Sequence, residues 1–192
     1  MTRIVGGTWG GRRLVTPAGE TTRPTAEKVR AALASSLYAT GGLDGARVLD
    51  LYAGSGALGL ELVSRGASSA VFVEQDRAAL TALRANIAAL SAAQPPEAAA
   101  LTVIPGDVAA FAARSAGAGP FDVVVADPPY DLTTEALAAV LTGLLAAGLL
   151  ATHADLVIER GRKSGPPEWR PPLEGVRAKK YGDTLLCYGR AP

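Results

Sequence analysis

The 192-residue chain has one cysteine, one histidine and one methionine, and only 5% of it is aromatic. A single thiol, Cys187, excludes a disulfide framework. With His153 the only imidazole, a zinc site built from cysteine and histidine is excluded as well. No apolar core of a signal peptide follows Arg3; a glycine-rich stretch stands there instead. The longest apolar run, Leu137 to Ala151, is interrupted by Thr142, Gly143 and Gly148 and is too short to span a bilayer. The expectation is a cytoplasmic protein with no membrane association, whose chemistry runs without a metal held by cysteine and histidine.

Charge is present but segregated. The formal net charge is +1. Residues 1–30 carry six basic side chains against two acidic, and residues 159–192 carry eight against four. The intervening segment, 31–158, carries five basic and twelve acidic. Two basic ends around an acidic centre suit a polyanionic partner, although charged side chains also simply populate surfaces.

From residue 46 the chain alternates short apolar runs with helical patterns. Strands are predicted at Val48–Tyr52, Ala70–Glu74, Leu101–Ile104, Asp122–Ala126 and Leu156–Arg160. Helices are predicted at Ala57–Arg65, Asp76 to about Leu90, from about Val108, and Thr133 to about Ala147. In the second of these, Leu80, Leu83 and Ile87 recur at helical spacing and Asp76 is a candidate N-cap. Fully apolar strands alternating with helices predict an α/β, doubly wound, mostly parallel sheet covered on both faces. Val176–Tyr181 and Thr184–Arg190, joined at Gly182–Asp183, predict an antiparallel hairpin at one sheet edge. Before residue 46, Arg3–Val5 and Arg12–Val15 read as short strands and Thr25–Tyr38 as a helix. Residues 1–45 are expected to be an extension packed on the main domain, 46–192. Ala92–Ala100 reads as a Pro/Ala-rich surface loop.

Two motifs carry chemistry. Asp50-Leu-Tyr52-Ala-Gly54-Ser-Gly56-Ala-Leu-Gly59 links a strand to a helix through a glycine turn. It matches the dinucleotide pattern, with Glu74 and then Gln75 closing the next strand where a ribose-binding acid belongs. That spacing fits either a nicotinamide dinucleotide or S-adenosylmethionine. Asp50 favours the second, because a carboxylate before the turn attracts a methionine ammonium and repels a pyrophosphate. An ionised Glu74 has acceptors for both ribose hydroxyls. Asp107 can meet an adenine amine, or act as a helix N-cap, or both. Val108 can pack on the adenine ring. Tyr52 is expected to pack beside the cofactor turn.

The second motif, Asp127-Pro128-Pro129-Tyr130, follows the fourth strand. In an open α/β sheet that carboxyl end lies near the topological switch point. The amine of a nucleobase is a poor nucleophile because its lone pair is delocalised into the ring. Acceptors aimed at its hydrogens draw the nitrogen toward sp³ and free that pair; the Asp127 carboxylate and the Pro128 carbonyl can supply them. The prolines fix the turn, and Tyr130 can stack on a base taken out of its helix. Alone, the segment is also compatible with a strand that ends at proline beside a surface tyrosine. His153 is expected on a surface loop rather than as a general base, and Cys187 as a small buried apolar residue.

Taken together, these motifs resemble the signature of class I S-adenosylmethionine-dependent amino-methyltransferases. More closely, the chain resembles the bacterial 16S ribosomal RNA guanine-N2 methyltransferase family. The further matches are Arg3-Ile-Val-Gly-Gly, Gly11-Arg12-Arg13-Leu14, Thr22-Arg23-Pro24-Thr25 with Lys28-Val29-Arg30, and Tyr181-Gly182-Asp183-Thr184. The resemblance implies a seven-stranded Rossmann-like sheet, S-adenosylmethionine as cofactor, and in-line methyl transfer to N2 of a guanine. It implies ribosomal RNA, in a small-subunit particle, as the partner of a monomeric enzyme. Arg12, Arg13, Arg23, Pro24, Thr25, Lys28 and Arg30 are then expected to face RNA. Ala31 and Ala34 depart from the family pattern, which places an acid and a phenylalanine in this helix. Adenine-N6 methylation, nicotinamide-dependent hydride transfer and a non-catalytic ribosome-assembly role are the rival readings.

Overall fold

A computed structural model describes residues 2–17, 24–39, 42–93, 99–115 and 117–192, and the side chains of residues 24–26 lie outside that description. The elements in chain order are β1 (Thr2–Arg3), β2 (Arg13–Leu14), α1 (Pro24–Ala39), β3 (Arg47–Leu51), α2 (Ala57–Ser64), β4 (Ser69–Glu74) and α3 (Arg77–Ala93). They continue with β5 (Ala100–Pro105), α4 (Val108–Arg114), β6 (Phe121–Ala126), α5 (Thr134–Ala146), β7 (Leu150–Gly161), β8 (Glu174–Tyr181) and β9 (Thr184–Arg190).

Seven strands form one sheet in the order β5-β4-β3-β6-β7-β9-β8, and β1 and β2 pair separately. Strands β3 to β7 run parallel to one another, while β9 runs antiparallel to both β7 and β8. The expected doubly wound sheet with an antiparallel C-terminal hairpin is therefore present. The chain winds outward through β4 and β5, then returns to add β6 and β7 on the other side of β3. The β3/β6 boundary is thus the switch point, where ligands bind in such sheets.

Alternation along the central strands explains the two cores. Val48, Val123 and Val125 face one side with Leu60 and Leu62 of α2, Leu83 and Leu90 of α3, and Val29 and Leu33 of α1. Leu49, Leu51, Val124 and Ala126 face the other with Phe111 of α4 and Leu137, Leu141 and Leu144 of α5. Ile4 and Trp9 are wholly buried in the first core, so the first residues pack into the same apolar mass as the sheet.

Several boundaries differ from expectation, for identifiable reasons. The N-terminal strands are shorter than predicted because side chains take their backbone groups. Val5 N–H donates to Glu61 Oε2 at 2.7 Å, and Val15 N–H to Asn86 Oδ1 at 2.8 Å. Strand β7 begins six residues earlier than predicted. His153 therefore lies within a strand rather than a loop, with φ at 61°. Its N–H donates to the Pro192 carbonyl at 3.0 Å, a partner supplied by the chain end. His153 is exposed, as expected. Helix α3 runs on to Ala93, and strand β5 already begins at Ala100. Asp76 caps α3 through a 2.8 Å acceptance from Ala79 N–H.

Candidate active site

The carboxyl ends of the parallel strands open into a cavity of about 790 Å³, within the range of cofactor and small-substrate sites. Asp50 of β3, Glu74 of β4, Asp127 after β6 and Glu159 of β7 all line it. Leu51 and Ala126 are register partners, which sets the glycine turn and the Asp-Pro-Pro-Tyr segment side by side.

Asp50 is 2% exposed, and its Oδ2 accepts from Gly59 N–H at 2.8 Å. That approach needs a glycine, since a Cβ at position 59 would stand 2.8 Å from Asp50 Oδ2 and 2.5 Å from a ring carbon of Phe72. Burial, with the negative charges of Asp127 and Glu74 acting the same way, pushes the Asp50 carboxyl up to about 7. The Gly59 hydrogen bond only partly offsets this. A cation brought into the cavity beside Asp50 would relieve that penalty.

Glu74 ties the two halves of the cofactor turn together. Its Oε2 accepts from Gly54 N–H at 2.7 Å, and its Oε1 accepts from Gln75 and Asp76 N–H at 2.7 and 2.8 Å. Three backbone donors thus already engage the carboxylate expected to serve two ribose hydroxyls. Gly54 has φ at 54° and open space where a side chain would stand, leaving room for a ligand at the cavity wall. Tyr52, Gln75 and Val108 also line the cavity. Tyr52 has φ at 58°, and burial pushes its hydroxyl up to about 12. Gly56 belongs to the turn but not to the lining, and a Cβ there would strike Leu83. Asp107 is exposed and caps α4 by accepting from Ala110 N–H at 2.9 Å. Its neighbours Gly106 and Val108 line the cavity.

On the far side of the switch point, Asp127 is exposed, Pro128 is buried and Tyr130 is 72% exposed. A Cβ on Gly161 would lie 3.0 Å from the Tyr130 ring, so the ring rests against the end of β7. Arg160 is buried and donates from Nη1 to the Leu132 carbonyl at 3.1 Å, holding the loop that follows the motif.

The basic residues expected to face RNA divide. Arg12, Arg13 and Lys28 are exposed and outside the cavity lining. Arg23 and the side chains of Pro24 and Thr25 lie outside the described residues. Arg30 departs from expectation. It is 8% exposed, pairs with Glu61 at 3.7 Å and donates to the Arg3 carbonyl. Arg30 is among the residues that line the cavity, but its guanidinium is engaged inside the protein. Glu61 sits fully buried on α2, so a cation was needed there, and Arg30 is one of the two that supply it.

Sequence reasoning did not single out Glu159, Arg160, Thr16, Pro17 or Leu33, four of which line the cavity, Arg160 excepted. Glu159 was legible in principle. It lies two residues before the end of the strand beside Asp127, and carboxyl ends of neighbouring strands are where sites form.

The profile of the family described as Conserved hypothetical protein 95 matches residues 2–190. The chain belongs to this family. Among similar proteins, Ribosomal RNA small subunit methyltransferase D of Escherichia coli (strain K12) is 35% identical over 165 residues, covering 86% of this chain and 77% of that one. YlbH of Bacillus subtilis (strain 168), named for an inferred rRNA methyltransferase activity, is 33% identical over 184 residues and 95% of each chain. A solved Escherichia coli structure, described as an inferred methyltransferase, yhhF, superimposes with a TM-score of 0.82 at 33% identity. It covers 98% of this chain and 97% of that one. Family membership bears out the expected resemblance and the seven-stranded methyltransferase sheet.

Proposed function

We propose that the protein transfers the methyl group of S-adenosylmethionine to the exocyclic N2 amine of a guanine in 16S ribosomal RNA, working as a monomer on a small-subunit particle. The observation that carries this is one cavity lined both by the buried Asp50 and by Asp127, Pro129 and Tyr130 of the Asp-Pro-Pro-Tyr segment. The names of the relatives, ribosomal RNA methyltransferases among them, support the same class of reaction.

The cofactor fits the residues present. Its ammonium would meet Asp50, its ribose Glu74 and its adenine the wall at Gly106 and Val108, with Asp107 between them at the rim. When bound, it supplies an electrophilic methyl group. The acids around Asp50 also make the glycine turn a poor seat for a dinucleotide pyrophosphate, since like charges repel.

The chain's own residues then orient the acceptor. Asp127 and the Pro128 carbonyl accept hydrogen bonds from the two amine hydrogens, turning the nitrogen lone pair toward the methyl carbon. Tyr130, exposed and braced by Gly161, stacks on the flipped base. Methyl transfer would replace one of the N2 hydrogens, and Asp127 or water takes that proton late. Orientation supplies most of the acceleration. Arg12, Arg13 and Lys28, with Arg23 and Thr25, bind phosphates around that base.

The test compares transfer of labelled methyl to unmodified small subunits, naked 16S RNA and duplex DNA, followed by mapping of the labelled base. Asp127→Ala is expected to lower kcat at least ~100-fold while leaving cofactor affinity within about twofold. Near-normal turnover in that variant defeats the mechanism, and label on adenine defeats the guanine assignment.

A further inference from the structure

Strands β6 and β7 are parallel, with Ala126 opposite Ile158. Each is continued by an acid, Asp127 on one and Glu159 on the other, and both line the cavity. Glu159 is half-buried, and its Oε1 accepts from Thr184 Oγ at 3.4 Å across the β7/β9 pair. Two residues further along β7, Gly161 supports the Tyr130 ring. Two carboxyl groups and the stacking ring therefore meet in the cavity at the carboxyl ends of β6 and β7. The mechanism above uses Asp127 and Tyr130 and leaves Glu159 without a task.

The edges of the bases differ in a way that this pair can read. Guanine presents its N2 amine beside N1–H, a continuous row of donors. Adenine presents its N6 amine beside N1, a bare acceptor. Ionised carboxylates only accept, and hydrogen bonds to them are among the stronger ones. Two adjacent carboxylates match the guanine edge and oppose the adenine edge.

We propose that Glu159 is the base-specificity residue: it accepts the N1–H of the target guanine while Asp127 accepts from the N2 amine. This rests on the methyl-transfer reading given above. Burial, and after it the field of Asp127, push the Glu159 carboxyl up to about 8. An N–H donor held against it opposes both effects and favours the charged form, which only accepts.

The experiment uses two small-subunit RNAs that differ at the methylated position, one with guanine and one with 2-aminopurine. The second keeps the amine on C2 but has no hydrogen on N1. Wild-type kcat/KM is expected to favour guanine by roughly 10–1000-fold. Glu159→Gln is expected to shrink that preference at least about tenfold, because an amide can also donate to the bare N1. S-adenosylmethionine affinity, read by calorimetry, should be unchanged. Glu159→Asp, which keeps the charge, should retain the preference at a lower rate. Equal wild-type rates on the two bases overturn the proposal, even if a variant fails to fold, and so does an unaltered preference in a folded Glu159→Gln. Absence of any wild-type transfer to guanine overturns the underlying methyl-transfer reading instead, which separates the two failures.

Discussion

Among the described residues, two carboxyl groups are taken almost completely out of water, and they are treated in opposite ways. Glu61 on α2 is 0% exposed, and Asp50 on β3 is 2% exposed. Glu61 accepts from Val5 and Gly6 N–H at 2.7 and 3.0 Å, from Arg65 Nε at 2.7 Å, and pairs with Arg30. Every partner is supplied by the chain. Asp50 receives one backbone hydrogen bond and has two further acids within reach of its field. A buried charge that is matched internally serves as a fastening, here of the N-terminal residues onto α2. A buried charge left unmatched beside a cavity is a binding determinant, because only a ligand can complete it.

Removing the charge at position 61 should break this comparison most visibly. Glu61→Gln leaves Arg30 buried without its counter-ion, and losing one partner of a buried pair costs ~3–5 kcal/mol. For a chain of this length, that lowers Tm by roughly 6–20 °C. Thermal unfolding checks it, and a shift under about 2 °C would mean that the fastening reading is wrong.

Asp50→Asn should act with the opposite sign on stability. Burial pushes the native carboxyl up to about 7, well above the range of a carboxylate in an unfolded chain. Between those values the folded chain holds a proton that the unfolded chain has released. The stability contributed by that proton is therefore fully present in acid and is lost as pH rises through about 7. An asparagine carries no such penalty and can still accept from Gly59. The variant should melt roughly 2–8 °C above wild type at pH 8.5, with the gap closing toward pH 4. Its affinity for S-adenosylmethionine should fall ~30-fold or more, as a charge pair is lost from a buried site. A Tm gap independent of pH would contradict the origin assigned to the shift.

The smallest effect on the fold belongs to charges that are neither matched nor buried. Strand β8 lies at the sheet edge, and Lys179 and Lys180 are exposed on it. Lys179→Glu with Lys180→Glu should move Tm by no more than about 2 °C. If the basic C-terminal segment grips RNA, the slope of log affinity against log salt should fall by about one per lysine removed. An unchanged slope would remove this edge from the RNA surface.

How much of this could be read beforehand depended on whether the cue was local. The Asp76 and Asp107 caps, the glycine turn and the hairpin at Gly182–Asp183 all lie within a few residues of what they stabilise, and all are present. The apolar stretches at β3, β4 and β6 announced a sheet buried on both faces. What escaped depends on partners far along the chain. Arg30 looked like a surface cation because Glu61 lies 31 positions away and its burial leaves no local trace. Glu159 looked like the unremarkable end of a strand until its register beside Asp127 was known. The net charge of residues 1–30 likewise overstated what is offered to RNA, since Arg30 is spent inside and Arg3 pairs with Glu27 at 3.7 Å.

The solitary thiol gives the molecule a built-in clock. Cys187 lies on β9, between β7 and β8, and is 1% exposed, with burial pushing it up to about 11. Only the thiolate attacks disulfide reagents, so the closed hairpin is nearly inert, while an opened one reacts as an ordinary cysteine. With no second cysteine to confuse the signal, labelling kinetics at position 187 time the opening of the sheet edge next to Glu159 and Thr184.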